Sequence, residues 1–461
     1  MENNSQPLVS IIILNYNAGQ LLLDCVNSIK KSNYSNFEII IVDNISNDQS
    51  HRKCKSKFPE VKLIENKENL GYCEGNNVGI RNAAGKFIVI MNPDTEVSPS
   101  WLHELIIAYE KQGEGIFQPK ILSLNDKNIL QSTGNMIHIF GFGFSRDLGI
   151  IDSNEHDSIE QIGYAAGTCF FTSAEVFKKV GLFDPFIFLY HDDLDFCWRA
   201  AQMGIKSYYV PEAKIFHVKS YNLKWSSKKF YWLERNRKYC ILTHYSKTTY
   251  SKMRSQLFLS EIIIWLTYFA KGFLLAKIKA DLDISQNKNK IKKRYVELEN
   301  KKLIEDTKLI KTFPDSVFIS EYISRNWSSV IFNKLISKLN KGGLLLIEVP
   351  NINSLESILF KKYFFHLDLP RHLYHFNKNS LSYLLNKTDL EEIKFVFSFS
   401  FLSFLLCPIY SYENYIKTRK KVYQRISLNL LKIIFFPLII LFSIITRIFN
   451  IGPSISVICK K

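Results

Sequence analysis

Residues 188–199 read Phe-Leu-Tyr-His-Asp-Asp-Leu-Asp-Phe-Cys-Trp-Arg, so Asp192, Asp193 and Asp195 fall within four positions between aromatic residues. Carboxylates this close repel one another, and burial beside Phe188, Tyr190, Phe196 and Trp198 penalises their charged forms further. Both effects raise the pKa of one member toward working pH, as a base that takes a proton from an attacking hydroxyl requires. Trp198 and Arg199 read as the start of a helix, with Arg199 either holding the acids or touching a phosphate. His191 has no evident chemical task and reads as a loop residue.

A second group lies apart in sequence. Asp94 ends the run GKFIVIMNPD, and His217 follows a short strand-like run in AKIFHVKSY. A hard divalent cation takes oxygen ligands and keeps positions for phosphate and water. One carboxylate and one imidazole could hold Mg²⁺ or Mn²⁺ against a diphosphate, where the cation would stabilise charge on a leaving nucleoside diphosphate. The competing reading of His217 is a packed structural histidine.

The elements that must position these groups are legible nearby. VSIIILNYN (9–17), FEIIIVDN (37–44) and GKFIVIMNPD (85–94) are apolar runs separated by helix-like stretches such as GQLLLDCVNSIKK. Such runs indicate buried parallel strands of an α/β sheet, whose ligands bind at the carboxyl ends. Those ends carry Asn15, Asp43 and Asp94; one would be ordinary turn chemistry, whereas three on successive strands point to a site. Between the second and third runs, ENLGYCEGNNVGIRNAAG supplies Gly71 and Gly75 for close backbone approach to a ligand. A helix starting near Asn76 would offer N–H groups to phosphate.

Charge divides the chain. Residues 1–217 carry 19 Lys+Arg against 26 Asp+Glu, whereas residues 218–461 carry 41 against 17. The basic half also holds the apolar runs IIIWLTYFAKGFLLA and IIFFPLIILFSII, a combination that fits an anionic membrane surface better than nucleic acid. The run Ile433–Ile445 spans 13 residues and contains Pro437, too short for the ~20 residues of a membrane span. Eight scattered cysteines suit reduced thiols in a cytosol, and the N-terminus does not read as a signal peptide.

Taken in order, VSIIILNYN, EIIIVDNISND, ENLGYCEGNNVGI, GKFIVIMNPDTEV, VGLFDPFIFLYHDDLDFCWRA and YVPEAKIFHVKS closely resemble the glycosyltransferases of family 2, and within them rhamnosyltransferase-like members. FYWLERNRKYCIL and LIKTFPD resemble the tail of such enzymes. The resemblance implies a GT-A (Rossmann-like) nucleotide-sugar-binding domain and a single displacement that inverts the anomeric centre. It implies that Asp43 contacts the base or ribose, with Asn15, Tyr16 and Asn17 lining the same pocket. Asn69, Gly71, Asn76, Asn77, Asn92 and Arg199 join that nucleotide-sugar site. Asp94 stands for the metal-binding D-x-D, with Asn92 in place of its first acid, and His217 is a further metal ligand. Asp193 is the general base, with Asp192 in place of the usual Glu before it.

LISKLNKGGLLLIEVPNINSL and FFHLDLPRHLYHFNKNSLSYLL resemble the C-terminal part of class I S-adenosylmethionine-dependent methyltransferases, and SISVICKK its last strand. No glycine-rich cofactor loop precedes residue 335, so S-adenosylmethionine is not expected to bind. Asp368, Arg371, His372 and His375 stay out of the catalytic set. The expected organisation is a GT-A domain (1–250), a helical, membrane-associated tail and linker (251–327), and a truncated α/β methyltransferase-like region (328–461). The expected partners are a nucleoside-diphosphate sugar, a glycan or lipid-linked acceptor and the cytoplasmic face of the cell membrane, without nucleic acid. A bifunctional glycosyltransferase/methyltransferase and a non-catalytic nucleotide-sugar-binding scaffold are the alternatives.

Overall fold

The computed structural model describes residues 6–152, 156–218, 226–310, 312–313, 343–350, 391–398 and 454–460. It divides into two units, Met1–Asp315 and Ser316–Lys461.

The first unit begins β1 (Val9–Asn15), α1 (Gln20–Ile29), β2 (Phe37–Asp43), α2 (Ser50–Lys57), β3 (Lys62–Glu65), α3 (Gly71–Arg81) and β4 (Phe87–Met91). These strands pair in parallel, β1 lying between β2 and β4, and β3 beyond β2. The β-branched runs follow from burial on both faces. Ile11, Ile13 and Val89 enter one apolar cluster, and the alternate residues Ile12 and Ile90 enter the other.

The chain continues through β5 (Thr95–Val97), α4 (Trp101–Gln112), β6 (Gly115–Ser123), β7 (Leu130–Ser132), β8 (Asn135–Ile137), β9 (Gly143–Ser145), β10 (Glu160–Ile162) and β11 (Cys169–Ser173). Then come α5 (Ala174–Val180), α6 (Asp192–Gln202) and β12 (Lys206–His217). The central sheet runs β10-β12-β6-β11-β4-β1-β2-β3, with β5 on β12 and β7 on β6. It is mixed: β11 is antiparallel to both β4 and β6. Seven cysteines, from Cys25 to Cys459, are buried and free of disulfides among the described residues.

The rest of this unit is helical: α7 (Ser227–His244), α8 (Lys247–Lys252), α9 (Arg254–Ala270), α10 (Leu274–Gln286), α11 (Lys288–Lys301) and α12 (Asp306–Ile310). Part of the basic charge is neutralised inside. Glu234 on α7 bonds Arg237 at 2.8 Å and Lys277 at 2.6 Å, and Lys277 reaches Glu261 on α9 at 2.8 Å. The outward side of α9 is apolar: Phe258, Leu266 and Phe269 are each more than 60% exposed, with Leu259 and Ile262 beside them. Among the described residues no helix is long and apolar enough to cross a membrane.

In the second unit β13 (Leu344–Pro350), β14 (Glu391–Ser398) and β15 (Ser454–Lys460) form an antiparallel sheet in the order β13-β15-β14. SISVICKK thus contributes a strand. Asp368, Arg371, His372, His375 and the run Ile433–Ile445 lie outside the described residues.

Candidate active site

Asp94 and His217 meet because β5, which begins directly after Asp94, pairs with the end of β12 in the register Thr95↔His217. His217 Nε2 lies 3.3 Å from Asp94 Oδ2. Gln131 sets the imidazole tautomer. Its amide Nε2 donates to the His217 carbonyl at 2.7 Å, which turns its Oε1 toward His217 Nδ1, also at 2.7 Å. Nδ1 is then the donor and Nε2 keeps its lone pair, facing a carboxylate oxygen. Two electron-rich atoms at that distance call for a proton or cation between them. Asp94 Oδ1 is buried and has no hydrogen-bond partner among the described residues. An oriented imidazole beside a carboxylate with a spare oxygen fits a hard divalent cation.

The aspartate cluster opens α6, and the three acids part company. Asp195 turns inward, 2.9 Å from Arg199 and 3.2 Å from His244, and despite burial the Arg199 charge holds its carboxyl far below the ordinary range. Asp193 Oδ2 accepts from Gly167 N at 2.8 Å and its Oδ1 from Leu194 N at 2.8 Å. Burial raises the pKa of Asp193, and burial together with the Asp193 charge raises that of Asp192 well above the carboxylate range. Both line a cavity of about 320 Å³ with Asn92, Tyr72, Gly167 and Thr168. Asn92 N donates to Thr168 O at 2.9 Å, and Tyr72 Oη to Gly167 O at 2.6 Å, so the Asn92-Pro93-Asp94 corner and the acids share one wall.

The loop before α6 is held against its backbone preference. Phe188, Tyr190 and His191 all have φ near +63° to +65°, the left-handed region. Asn236 Nδ2 on α7 donates to the carbonyls of Ile187, Leu189 and Tyr190 at 2.8–3.0 Å, and Arg235 donates to Phe186 and Ile187. Burial, with the Arg237 charge, pushes the His191 imidazole down to about 4, so it is neutral.

Several residues hold places other than those expected. Helix α3 starts at Gly71, not near Asn76, and its first free N–H groups, on Tyr72 and Cys73, go to Phe188 O rather than to a phosphate. Added at Gly71, a Cβ would sit 2.5 Å from the Phe188 ring; at Gly75, 2.5 Å from Leu14. These glycines make room for the protein, not for a ligand. Asn69 Oδ1 accepts from Gly71 N at 2.9 Å, in the turn that leads into the helix. Asn76 and Asn77 lie mid-helix and buried; Asn76 bonds Tyr72 O, and Asn77 grips Phe183 through both N–H and C=O. Arg199 lies in the second half of α6, and its guanidinium is spent on Asp195 and the carbonyls of Val180, Gly181 and Leu182, away from any phosphate. Trp198 likewise lies well inside the helix.

At the end of β1, Asn15 Nδ2 donates to Asp43 Oδ1 at 2.7 Å and reaches Ser46 and Ser50, while Asp43 Oδ2 accepts from Ser46 N at 2.8 Å. His51 lies 3.2 Å from Asp43. The Asp43 carboxylate thus braces the chain's own loop, where the resemblance implies a base or ribose contact. Tyr16 is 45% exposed beside it, and Asn17 at φ 54° accepts from Asn47 N. Gln131, Tyr72, Gly167 and Thr168 were not read from the sequence. Only Gln131 carried a chemical type that could have singled it out, and nothing local ties it to His217.

The sheet carries a carboxylate–imidazole pair where β5 meets β12, and a carboxylate pair lines a cavity that Asn92 also lines, all within one mixed α/β domain. Residues 10–181 match the family model Glycosyl transferase family 2. Among curated proteins, the low-salt glycan biosynthesis hexosyltransferase Agl10 of Haloferax volcanii is 26% identical over 204 residues, 43% of this chain and 62% of that protein. The N-acetylglucosaminyl-diphospho-decaprenol L-rhamnosyltransferase of Mycobacterium tuberculosis is 22% identical over 47% of this chain and 77% of its own. The chain spans 62%, 33% and 25% of the first three curated relatives it matches. Of solved structures, GalNAc-T7 with UDP, GalNAc and Mn²⁺ aligns at 18% identity over 53% of this chain and 49% of that one, with a TM-score of 0.45.

Proposed function

We propose that the protein is an inverting, metal-dependent glycosyltransferase that moves a sugar, rhamnose being the favoured candidate, from a nucleoside diphosphate to a lipid-linked or polysaccharide acceptor in cell-surface glycan synthesis. The observation that carries this reading is the single cavity lined by Asn92 of the Asn-Pro-Asp corner and by Asp192 and Asp193. Asp193 takes the proton of the acceptor hydroxyl as it attacks; burial raises its pKa, and its charge helps raise that of Asp192. Donors from Gly167 N and Leu194 N fix the direction of the Asp193 carboxylate. Asp94 and His217 would hold Mg²⁺ or Mn²⁺, which when bound offsets the negative charge of the diphosphate. Exposed Tyr16 offers a ring for the donor base. The curated rhamnosyltransferase relative is named for a lipid-linked acceptor, and this supports the same acceptor class here.

The protein works at the inner face of the cell membrane, held there by the apolar side of α9 and the surrounding lysines. The reading of residues 328–461 as a methyltransferase remnant rests on the sequence resemblance alone; of its stretches, SISVICKK forms β15.

The test is nucleoside diphosphate release across a panel of nucleotide sugars with Mn²⁺ or Mg²⁺. Wild type is expected to turn over one donor. Asp193→Asn should retain donor binding but lose turnover by about 10²–10⁴-fold, the usual worth of a positioned base. Transfer by Asp193→Asn at the wild-type rate would overturn the assignment.

A further inference from the structure

Outside the acid cavity, two adjoining hollows of the helical region measure about 700 Å³ and about 560 Å³. They share Leu242, Tyr250, Ser251, Arg254 and Ile284, and so form one groove between α7, α8–α9 and α10–α11. The floor is apolar: Ile241, Leu257, Ile284 and Ile291 are all buried. The rim is cationic. Lys247, Arg254, Lys288 and Lys292 stand exposed along it, and among the described residues none has an acidic partner. Glu261, an acid in the wall, is already engaged by Arg237, Lys238 and Lys277. At one lip Phe258 is 68% exposed and continues into the apolar outer side of α9.

A concave apolar floor beneath an unneutralised cationic rim fits a molecule that is hydrocarbon along its length and anionic at one end. Desolvating the floor without such a chain gains nothing, and a purely polar ligand would leave it wet. We propose that this groove binds the hydrocarbon tail and phosphate of the lipid-linked acceptor. The choice of acceptor rests on the glycosyltransferase reading above; the groove's chemistry does not.

Helix α7 joins the two sites. Leu233 lines the acid cavity, and Leu242, nine residues on, lines the groove. At ~1.5 Å per residue that is about 14 Å along the helix. A phosphate carrying one or two sugar rings bridges such a span, which would bring the acceptor hydroxyl to Asp193 while the tail stays in the groove.

The test uses the purified full chain titrated with farnesyl phosphate below its aggregation concentration, with farnesol, inorganic phosphate and anionic vesicles as parallel arms. Saturable binding of farnesyl phosphate is expected, at least tenfold tighter than farnesol or inorganic phosphate. Arg254→Glu combined with Lys292→Glu should weaken it tenfold or more, and Arg254→Gln, a milder change at an exposed position, should weaken it less. Equal binding by all variants, equal binding of farnesol, or binding of vesicles without free farnesyl phosphate would each overturn the proposal. Nucleoside diphosphate release by wild type, measured on the same preparation, separates the two failures. Donor turnover without lipid binding sinks the groove alone, and lipid binding without donor turnover sinks the transferase reading alone.

Discussion

At the scale of single residues, the chemistry rests on one short segment giving three identical side chains different surroundings. Asp195 gains a buried guanidinium and stays ionised; removing that partner alone would cost about 3–5 kcal/mol, because a buried charge would be left unpaired. Among the described residues Asp192 and Asp193 gain backbone N–H donors but no cation, and burial raises both pKa values, so their protons come off late and as a coupled pair. The pH dependence follows. On the proposed assignment of Asp193 as base, that carboxyl must be ionised and its pKa is raised, so kcat/KM should fall on the acid side with a midpoint above the ~4 of an ordinary carboxylate. A pH–rate profile with its acid limb at or below that value would show that the pair does not limit turnover.

Gln131 offers a second residue-level prediction. It touches no expected ligand but dictates which imidazole nitrogen of His217 is free. Gln131→Leu should weaken Mn²⁺-dependent donor binding about 10–100-fold, the usual cost of losing such an orienting partner, as read by titrating the cation at fixed nucleotide. The acids and His217 were legible because their types are chemically conspicuous. Gln131 and Gly167 were not, since their partners lie 86 and 26 residues away and only the fold brings them together.

At the scale of elements, the decisive piece is the loop 186–191. Its left-handed residues persist because α3 and α7 both grip its carbonyls, through Tyr72 N and Asn236. Gly71 lets α3 approach. Gly71→Ala would combine φ +74° with a Cβ inside contact distance of the Phe188 ring. A loss of about 1–3 kcal/mol in thermal unfolding is expected, with a fall in turnover larger than the stability loss explains, because the acids ride on this loop. The strands of this region were plain in the sequence, since apolar runs of β-branched residues speak for themselves. The start of α3 was misplaced because Asn76 and Asn77 look like caps, whereas their side chains bond Tyr72 and Phe183 inside the protein.

At the scale of the molecule, the sheet and the helical layer divide the work: strand ends carry the polar groups, and α7 to α11 supply a basic, partly apolar outer side. The excess of positive charge beyond residue 217 was evident from composition. Composition could not separate the lysines paired inside, such as Lys277, from those left on the rim, such as Lys292. The outer side of α9 should bring the protein down with vesicles of anionic lipid in sedimentation at low salt. Binding should fall steeply as ionic strength rises past ~0.1 M, where the Debye length shrinks to about 10 Å. A protein that stays in the supernatant at low salt would refute the membrane reading.

The buried cysteines carry a consequence of their own. Cys25 and Cys169 sit in the apolar layer on one side of the sheet, Cys73, Cys197 and Cys240 in the layer on the other, and burial raises the pKa of all five thiols. None can meet an alkylating reagent until its own half of the interior comes apart. The domain therefore carries its own clock for breathing: the order in which these sulfurs become modified tells which side of the platform loosens first.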